Sequence, residues 1–241
     1  LAEKVIALAQ QAGGKILSVY EKDFHVYEKA DKSPLTEADL LSHEAIVNGL
    51  AKITPLIPVL SEESSKEDAH DRMSWKTYWL IDPLDGTKEF IKRNGEFTVN
   101  IALVHDHVPI FGVVEVPFLK ETYWGDQGFG AYKIRDGKSI SIKTRKRPKD
   151  WSRVKIVGSR SHQSNEFKEF VSDYPNAEII SIGSSLKFCL VAEGAADLYP
   201  RLGLTSEWDT AAAQAIVEAA GGQVLRIPEM SSLRCNENEK S

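Results

Sequence analysis

The chain has 241 residues, 42% of them hydrophobic and 27% charged, which is enough apolar matter for a buried core and too much for a disordered segment. Thirty basic against 35 acidic residues leave a net charge of −5. That excludes general affinity for nucleic acid, although an acidic protein can still hold an anion through a cation. The longest apolar stretches, such as Phe97 to Val104, are strand-sized, far below the roughly 20 residues of a membrane-spanning helix. Two cysteines, Cys189 and Cys235, cannot frame a disulfide-rich fold and point to a reducing cytoplasm.

In chain order, Val5, Leu8, Ala9, Ala12, Ile16 and Tyr20 recur at three- and four-residue spacing and predict an amphipathic first helix. Glu3, Lys4 and Lys15 interrupt it, so it lacks the unbroken apolar stretch of a signal peptide, and the start on Leu1 rather than Met implies residues upstream. A second helix is predicted from about Thr36 to Ala51, with Ala38, Leu41, Ala45 and Ile46 inward. The period then changes. Ile57–Leu60 and Tyr78–Ile81 are short apolar runs that end in acidic residues, as buried strands do at a cleft. Phe97–Val104, Ile110–Val116, Glu121–Trp124 and Ala131–Ile134 continue as an antiparallel meander; its turn His105-Asp106-His107 reads as solvated rather than zinc-binding.

Lys143–Lys149, five of whose seven residues are Lys or Arg, is the predicted connection between two domains, 1–142 and 143–241. Weak contact with an anionic membrane surface, on the inner face of a cell membrane, is the second reading of this run. Beyond it strand and helix alternate: Val154–Val157, a helix near Asn165–Val171, Ile179–Ile182, a helix from Ser185 to Gly194, Leu198–Tyr199, and a helix from about Thr210 to the Gly221-Gly222 stop. The first half reads as α+β and the second as α/β, giving layered sheets and helices.

Five acids stand at element boundaries: Asp39, Glu62, Asp82, Asp85 and Asp209. Hard divalent cations such as Mg²⁺ take several oxygen ligands, usually a few carboxylates with water and substrate oxygens. The densest source is Asp82-Pro83-Leu84-Asp85-Gly86-Thr87. There a strand end supplies one carboxylate, Pro83 turns the chain, Asp85 returns to the same point, and the Gly86 and Thr87 N–H groups offer a seat for phosphate. Each piece also has an ordinary reading. The hexapeptide is a turn composition, Thr36 to Asp39 fits a capping box, Glu62 beside Glu63 is a solvated acid, and Asp209 is a helix start.

Together, Asp31-x-Ser33-x-x-Thr36-x-Ala38-Asp39, Ser61-Glu62-Glu63-Ser64, the hexapeptide and Trp208-Asp209-Thr210-Ala211-Ala212 resemble, in order and spacing, the lithium-sensitive, Mg²⁺-dependent phosphomonoesterases of the inositol monophosphatase and fructose bisphosphatase superfamily. Lys88-Glu89-Phe90, Asn94-Gly95-Glu96-Phe97-Thr98-Val99-Asn100, Ser159-Arg160-Ser161-His162 and Gly183-Ser184-Ser185-Leu186-Lys187-Phe188 are most similar to its bacterial CysQ-type 3′(2′),5′-bisphosphate nucleotidases. Arg226–Ser241 follows the family's end only loosely and stops before the last strand the resemblance implies.

The resemblance implies a layered αβαβα sandwich of the α+β class, with a metal-binding catalytic domain over 1–142 and a substrate-binding domain over 143–241. It implies two or three Mg²⁺ ions: one on Glu62, Asp82 and the Leu84 carbonyl, a second on Asp82, Asp85 and Asp209, and a third, looser one beside Glu62. Asp39 and Thr87 would activate the water, and Gly86, Thr87, His162, Ser184, Lys187, Arg201 and Asp209 would bind substrate. The expected reaction is hydrolysis of adenosine 3′,5′-bisphosphate to AMP and phosphate, with inhibition by Li⁺. The competing expectations are an inositol monophosphatase or sugar bisphosphatase with the same ligands, and a non-catalytic sensor of nucleotide or divalent ion.

Overall fold

Two apolar helical layers bury opposite faces of one sheet. The structure, a computed structural model, describes residues 1–29, 32–65, 71–146, 148–160 and 164–237. Helix α1 (Ala2–Tyr20) buries the stripe its periodicity marks, Val5, Leu8, Ala9, Ala12, Ile16 and Tyr20. A hairpin follows, β1 (Val26–Glu28) antiparallel to β2 (Pro34–Thr36). Helix α2 (Glu37–Ile53) buries Ala38, Asp39, Ser42, Ile46 and Leu50. Leu41 and Ala45, expected inward, are only half-buried, because polar residues share the inner face: Ser42 Oγ donates to the Pro83 carbonyl at 2.7 Å. A partly polar inner face is invisible to apolar periodicity.

The main sheet is built from β3 (Val59–Ser61), β4 (Thr77–Asp85), β5 (Thr98–His105), β6 (Val108–Val116), β7 (Glu121–Asp126), β8 (Gly130–Arg135) and β9 (Lys138–Ile142). Among the described residues these seven strands lie side by side in sequence order; β3 is parallel to β4, and the others form the expected antiparallel meander. Strand β9 is an addition to the sequence reading, a mostly exposed edge with little apolar signal. Alternation sorts the core. Trp79, Ile81, Ile101, Leu103, Phe111 and Val113 face α1 and α2, while Tyr78, Leu80, Ala102, Val104, Val114 and Val116 face the other way. With both faces covered, the central strands read as continuous apolar runs.

After α3 (Thr87–Ile91), the remaining elements lie in the second half: β10 (Lys155–Ser159), α4 (Asn165–Ser172), β11 (Glu178–Ile182), α5 (Leu186–Ala192), α6 (Ala211–Ala219) and a small hairpin, β12 (Leu225–Arg226) with β13 (Ser231–Ser232). Helices α5 and α6 cover the second face of the main sheet. Strands β10 and β11 pair in parallel, and Phe167 of α4 packs on Val154 and Ile156. The layers are therefore αβαβα.

Helix α6 sits unusually close to the sheet. Gly112 and Gly125 are cross-strand partners on β6 and β7. A Cβ on Gly112 would lie 2.1 Å from the Ala212 carbonyl oxygen, and one on Gly125 would lie 2.7 Å from the Ile216 Cα. The basic run after β9 is strapped down at two points: the Thr144 N–H donates to the Ala220 carbonyl, and Arg145 pairs with Asp197 at 3.0 Å. The segment after β13 docks on the turn between β5 and β6, where the Cys235 N–H donates to the His107 carbonyl. No helix among the described residues is long and apolar enough to cross a membrane.

One buried acid lies away from the boundary cluster. Burial pushes the Glu115 carboxyl up to about 7, against the opposing effect of the hydrogen bond donated by Thr122. A folded-state pKa above the unfolded one stabilises fully below the unfolded value, and that stability is lost as pH rises through the folded one. Thermal unfolding of the wild type should therefore lose more stability between about pH 5 and about pH 8 than that of Glu115→Gln, by on the order of 3 kcal/mol. Parallel pH profiles for the two proteins would show that Glu115 is not the group.

Candidate metal centre and substrate cavity

In a regular strand, Asp82 and Asp85 would point to opposite faces, because side chains alternate and three steps separate them. Strand β4 breaks the alternation. Asp82 pairs with Asn100 and Asp85 with Thr98, so three steps on β4 match two on β5. The bulge at Pro83-Leu84 absorbs the extra residue and turns both acids to one side; the Leu84 N–H closes it by donating to Asp82 Oδ1 at 3.0 Å. Gly86 then takes φ +91°, where a Cβ would meet the Glu96 carbonyl oxygen at 3.0 Å, and α3 starts at Thr87.

Asp209 arrives from the second half on the helical turn Glu207–Asp209 that leads into α6. The Thr205 hydroxyl and the Ser206 N–H donate to its Oδ2 at 2.9 and 3.1 Å. One oxygen each from Asp82, Asp85 and Asp209 now lies within 4.8 Å of the others. Asp82 is only 1% exposed. Burial first, then the charges of Glu62, Asp85 and Asp209, raise its carboxyl well above the usual range. Asp209 is pushed up to about 6 by burial and by Asp85. Three carboxylates that repel one another, Asp82 buried and Asp85 and Asp209 half-buried, form an all-oxygen donor set, which fits a hard divalent cation.

Glu62 follows β3, where its N–H donates to the Ile81 carbonyl. It is close enough to Asp82 to raise it, yet it stands outside the three-oxygen group and pairs with Lys29 at 2.8 Å. Lys29, from the β1–β2 hairpin, also bonds Glu63. Burial works against the Lys29 ammonium, but the two carboxylates outweigh it and hold its pKa above the usual range. The sequence carried no signal for this pair.

Asp39 fulfils both of its readings at once. Its Oδ2 accepts from the Thr36 N–H and hydroxyl at 2.7 and 2.6 Å, completing the capping box, and its Oδ1 accepts from the Thr87 hydroxyl at 3.2 Å. Burial pushes the Asp39 carboxyl up, with the Thr36 and Thr87 bonds opposing. The Leu84 carbonyl lies 3.3 Å from the same Thr87 hydroxyl.

A cavity of about 220 Å³ opens beside these groups; Glu62, Asp85, Gly86, Thr87 and Asp209 line it together with Ser184, Lys187 and Arg201 from the second half. Lys187 is not the solvated helix lysine its position allows: it is 7% exposed, donates to the Ser184 carbonyl at 2.5 Å and lies over the Tyr199 ring. Burial lowers its pKa. Ser184 does not share a helix face with it, since Ser184 precedes α5 with φ +47°. Arg201 is exposed and donates to the Leu204 carbonyl. His162 lies outside the described residues, as do Asp31 and Ser161. The cavity also holds residues given no site role from sequence: Glu89, 5% exposed, and the edge-to-face pair Phe188 and Tyr199. Arg160 grips Glu96 through two nitrogens, and Glu96 accepts from the Gly183 N–H at 2.8 Å, tying the 183–185 turn to the loop before β5.

The 3′(2′),5′-bisphosphate nucleotidase CysQ of Salmonella typhimurium is 49% identical over 228 residues, covering 93% of this chain and 89% of the relative. The crystal structure of CysQ from Bacteroides thetaiotaomicron, a bacterial member of the inositol monophosphatase family, superposes with a TM-score of 0.85 at 47% identity, covering 98% of this chain and 92% of the other. The inositol monophosphatase from Anabaena gives 0.76 at 26% identity, over 96% and 85%. With the sequence model of that family matching residues 1–235 as well, the chain belongs to the inositol monophosphatase family.

Proposed function

We propose that this protein is a 3′(2′),5′-bisphosphate nucleotidase that hydrolyses adenosine 3′,5′-bisphosphate to AMP and phosphate with Mg²⁺. The observation that carries the reading is one cavity in which clustered carboxylates suited to a cation meet Lys187 and Arg201, two cations suited to a second phosphate. The relatives' names and their identity over most of the chain support it. In this reading residues 1–142 supply most of the cation site and 143–241 grip the rest of the substrate, with Asp209 crossing between them. Both cysteines are buried and free, which supports a reducing compartment, the cytoplasm.

Glu62, Asp82, the Leu84 carbonyl, Asp85 and Asp209 would hold two or three ions. When bound, Mg²⁺ supplies charge that offsets the carboxylates and the phosphoryl oxygens and lowers the pKa of water. The Thr87 hydroxyl has one hydrogen. With that hydrogen on Asp39 Oδ1, its lone pairs are free to accept from the attacking water. Asp39, raised by burial, is the better proton acceptor for it. The Gly86 and Thr87 N–H groups, Ser184 and Asp209 orient the scissile group, and Lys187, Arg201 and His162 hold the non-scissile phosphate and nucleoside.

Phosphate release from adenosine 3′,5′-bisphosphate, inositol monophosphate and a sugar bisphosphate, each with and without Mg²⁺, tests the assignment. The nucleotide should be turned over fastest, only with Mg²⁺, and Li⁺ should inhibit where equal Na⁺ does not. Preference for inositol monophosphate would make this an inositol phosphatase; no turnover of any of the three would leave a sensor.

Asp82→Asn should abolish turnover, yet raise the melting temperature of the metal-free protein by relieving repulsion. Unchanged kcat at saturating Mg²⁺ would remove Asp82 from the centre. Lys187→Ala and Arg201→Ala should lower kcat/KM for the nucleotide about ten- to a hundredfold, while a small aryl phosphate is spared. Equal losses on both substrates would misplace the nucleotide grip.

A further inference from the structure

Thr98 and Asn100 belong to a stretch that sets this sequence apart from inositol monophosphatases, and no step so far uses them. They are the cross-strand partners of Asp85 and Asp82 on β5, so their side chains emerge on the same side as the two acids. All are nearly inaccessible: Thr98 is 0% exposed, and Asn100 and Ser185 are each 1% exposed. A continuous line of hydrogen bonds joins them. The Thr98 hydroxyl donates to Asn100 Oδ1 at 3.0 Å and lies farther, 3.5 Å, from Asp85 Oδ2; Asn100 Nδ2 donates to Ser185 Oγ at 2.9 Å, and Ser185 Oγ reaches Asp85 Oδ2 at 2.8 Å and the Asp209 carbonyl at 3.1 Å.

The direction of this line is forced from its far end. An ionised carboxylate and a backbone carbonyl only accept, so whichever of Asp85 and Asp209 takes the Ser185 hydrogen, the serine must donate there. Its lone pairs then face Asn100, which must turn its NH₂ toward them, and the amide oxygen left over faces Thr98, which must donate in turn. No group in the line can flip without leaving a buried polar atom unpaired.

We propose that Thr98, Asn100 and Ser185 form a one-way hydrogen-bond relay that positions Asp85 for cation binding, with the Asp209 carbonyl as the alternative acceptor of the single Ser185 hydrogen. The relay engages one oxygen of Asp85 and leaves the other to the cluster. It also joins the two halves of the chain at the point where their ligands meet. Partners of this kind fix a ligand's orientation, and losing one typically costs about ten- to a hundredfold in metal affinity. The inference rests on the reading of Asp82, Asp85 and Asp209 as cation ligands.

The test is Mn²⁺ binding to the folded, substrate-free protein, followed by paramagnetic resonance, with circular dichroism as the check on folding. Ser185→Ala should weaken binding about ten- to a hundredfold. Adding Asn100→Ala to Ser185→Ala should weaken it no further, because Asn100 acts only through the serine. Thr98→Val, which keeps the side-chain shape and removes only the hydroxyl, should weaken it by a smaller factor and covers the case in which Ser185→Ala fails to fold. Asp85→Asn is the control. If Asp85→Asn loses Mn²⁺ while Ser185→Ala and Thr98→Val bind like the wild type, the relay is overturned and the cation reading stands. If Asp85→Asn also binds normally, both are overturned. A further loss on adding Asn100→Ala would show independent contacts and overturn the line.

Discussion

Like charges crowded at the wall of a cavity set the terms for everything around them. Asp82, Asp85 and Asp209 each present an oxygen within 4.8 Å of the other two, an arrangement that folding alone does not favour. It persists because stronger interactions hold each backbone. The bulge in β4 is framed by pairs with β5 on either side, the inner face of α2 is bolted to it through Ser42 and the Pro83 carbonyl, and Asp209 heads a helix pressed into the sheet. The core supplies the stability, and the site draws on it to keep a geometry that awaits a counter-charge.

The same constraint explains the distribution of polar groups. Each acid at the centre has donors aimed at it: Thr36 and Thr87 for Asp39, the Leu84 N–H for Asp82, Thr205 and Ser206 for Asp209, Ser185 for Asp85, Lys29 for Glu62. These donors face oxygens that would otherwise rotate freely. Lys29 differs from the rest in carrying a full charge, so the hairpin itself supplies part of the neutralisation at Glu62 and, through space, at Asp39.

What could be read from the sequence follows from how local each signal is. The first helix, the meander and the Asp82 to Thr87 turn have repeating or contiguous signatures, and they were legible. Apolar periodicity does not mark the inner face of α2, because Asp39 and Ser42 occupy it. Strand β9 was missed because an exposed edge needs few apolar residues. At the centre, the carboxylates have contiguous motifs, but the pairings of Lys29 with Glu62 and of Ser185 with Asp85 are juxtapositions across 33 and 100 positions of chain. No local pattern encodes such contacts, since tertiary packing alone creates them. Asn100 shows the limit best: its segment is distinctive in sequence, while its use depends on a serine from the other half.

Gly112 and Gly125 act as a depth gauge for α6. By withholding two side chains from adjacent strands, the sheet lets helix backbone rest on strand backbone, a contact that rotamer changes cannot adjust. Neither glycine lines the cavity. The tolerance of the charge cluster is thereby stored in the interior, while Tyr199 and Arg201, on a loop, form a wall that can vary without disturbing it. Such a division lets one scaffold exchange the molecules it accepts while the spacing of its carboxylates stays fixed.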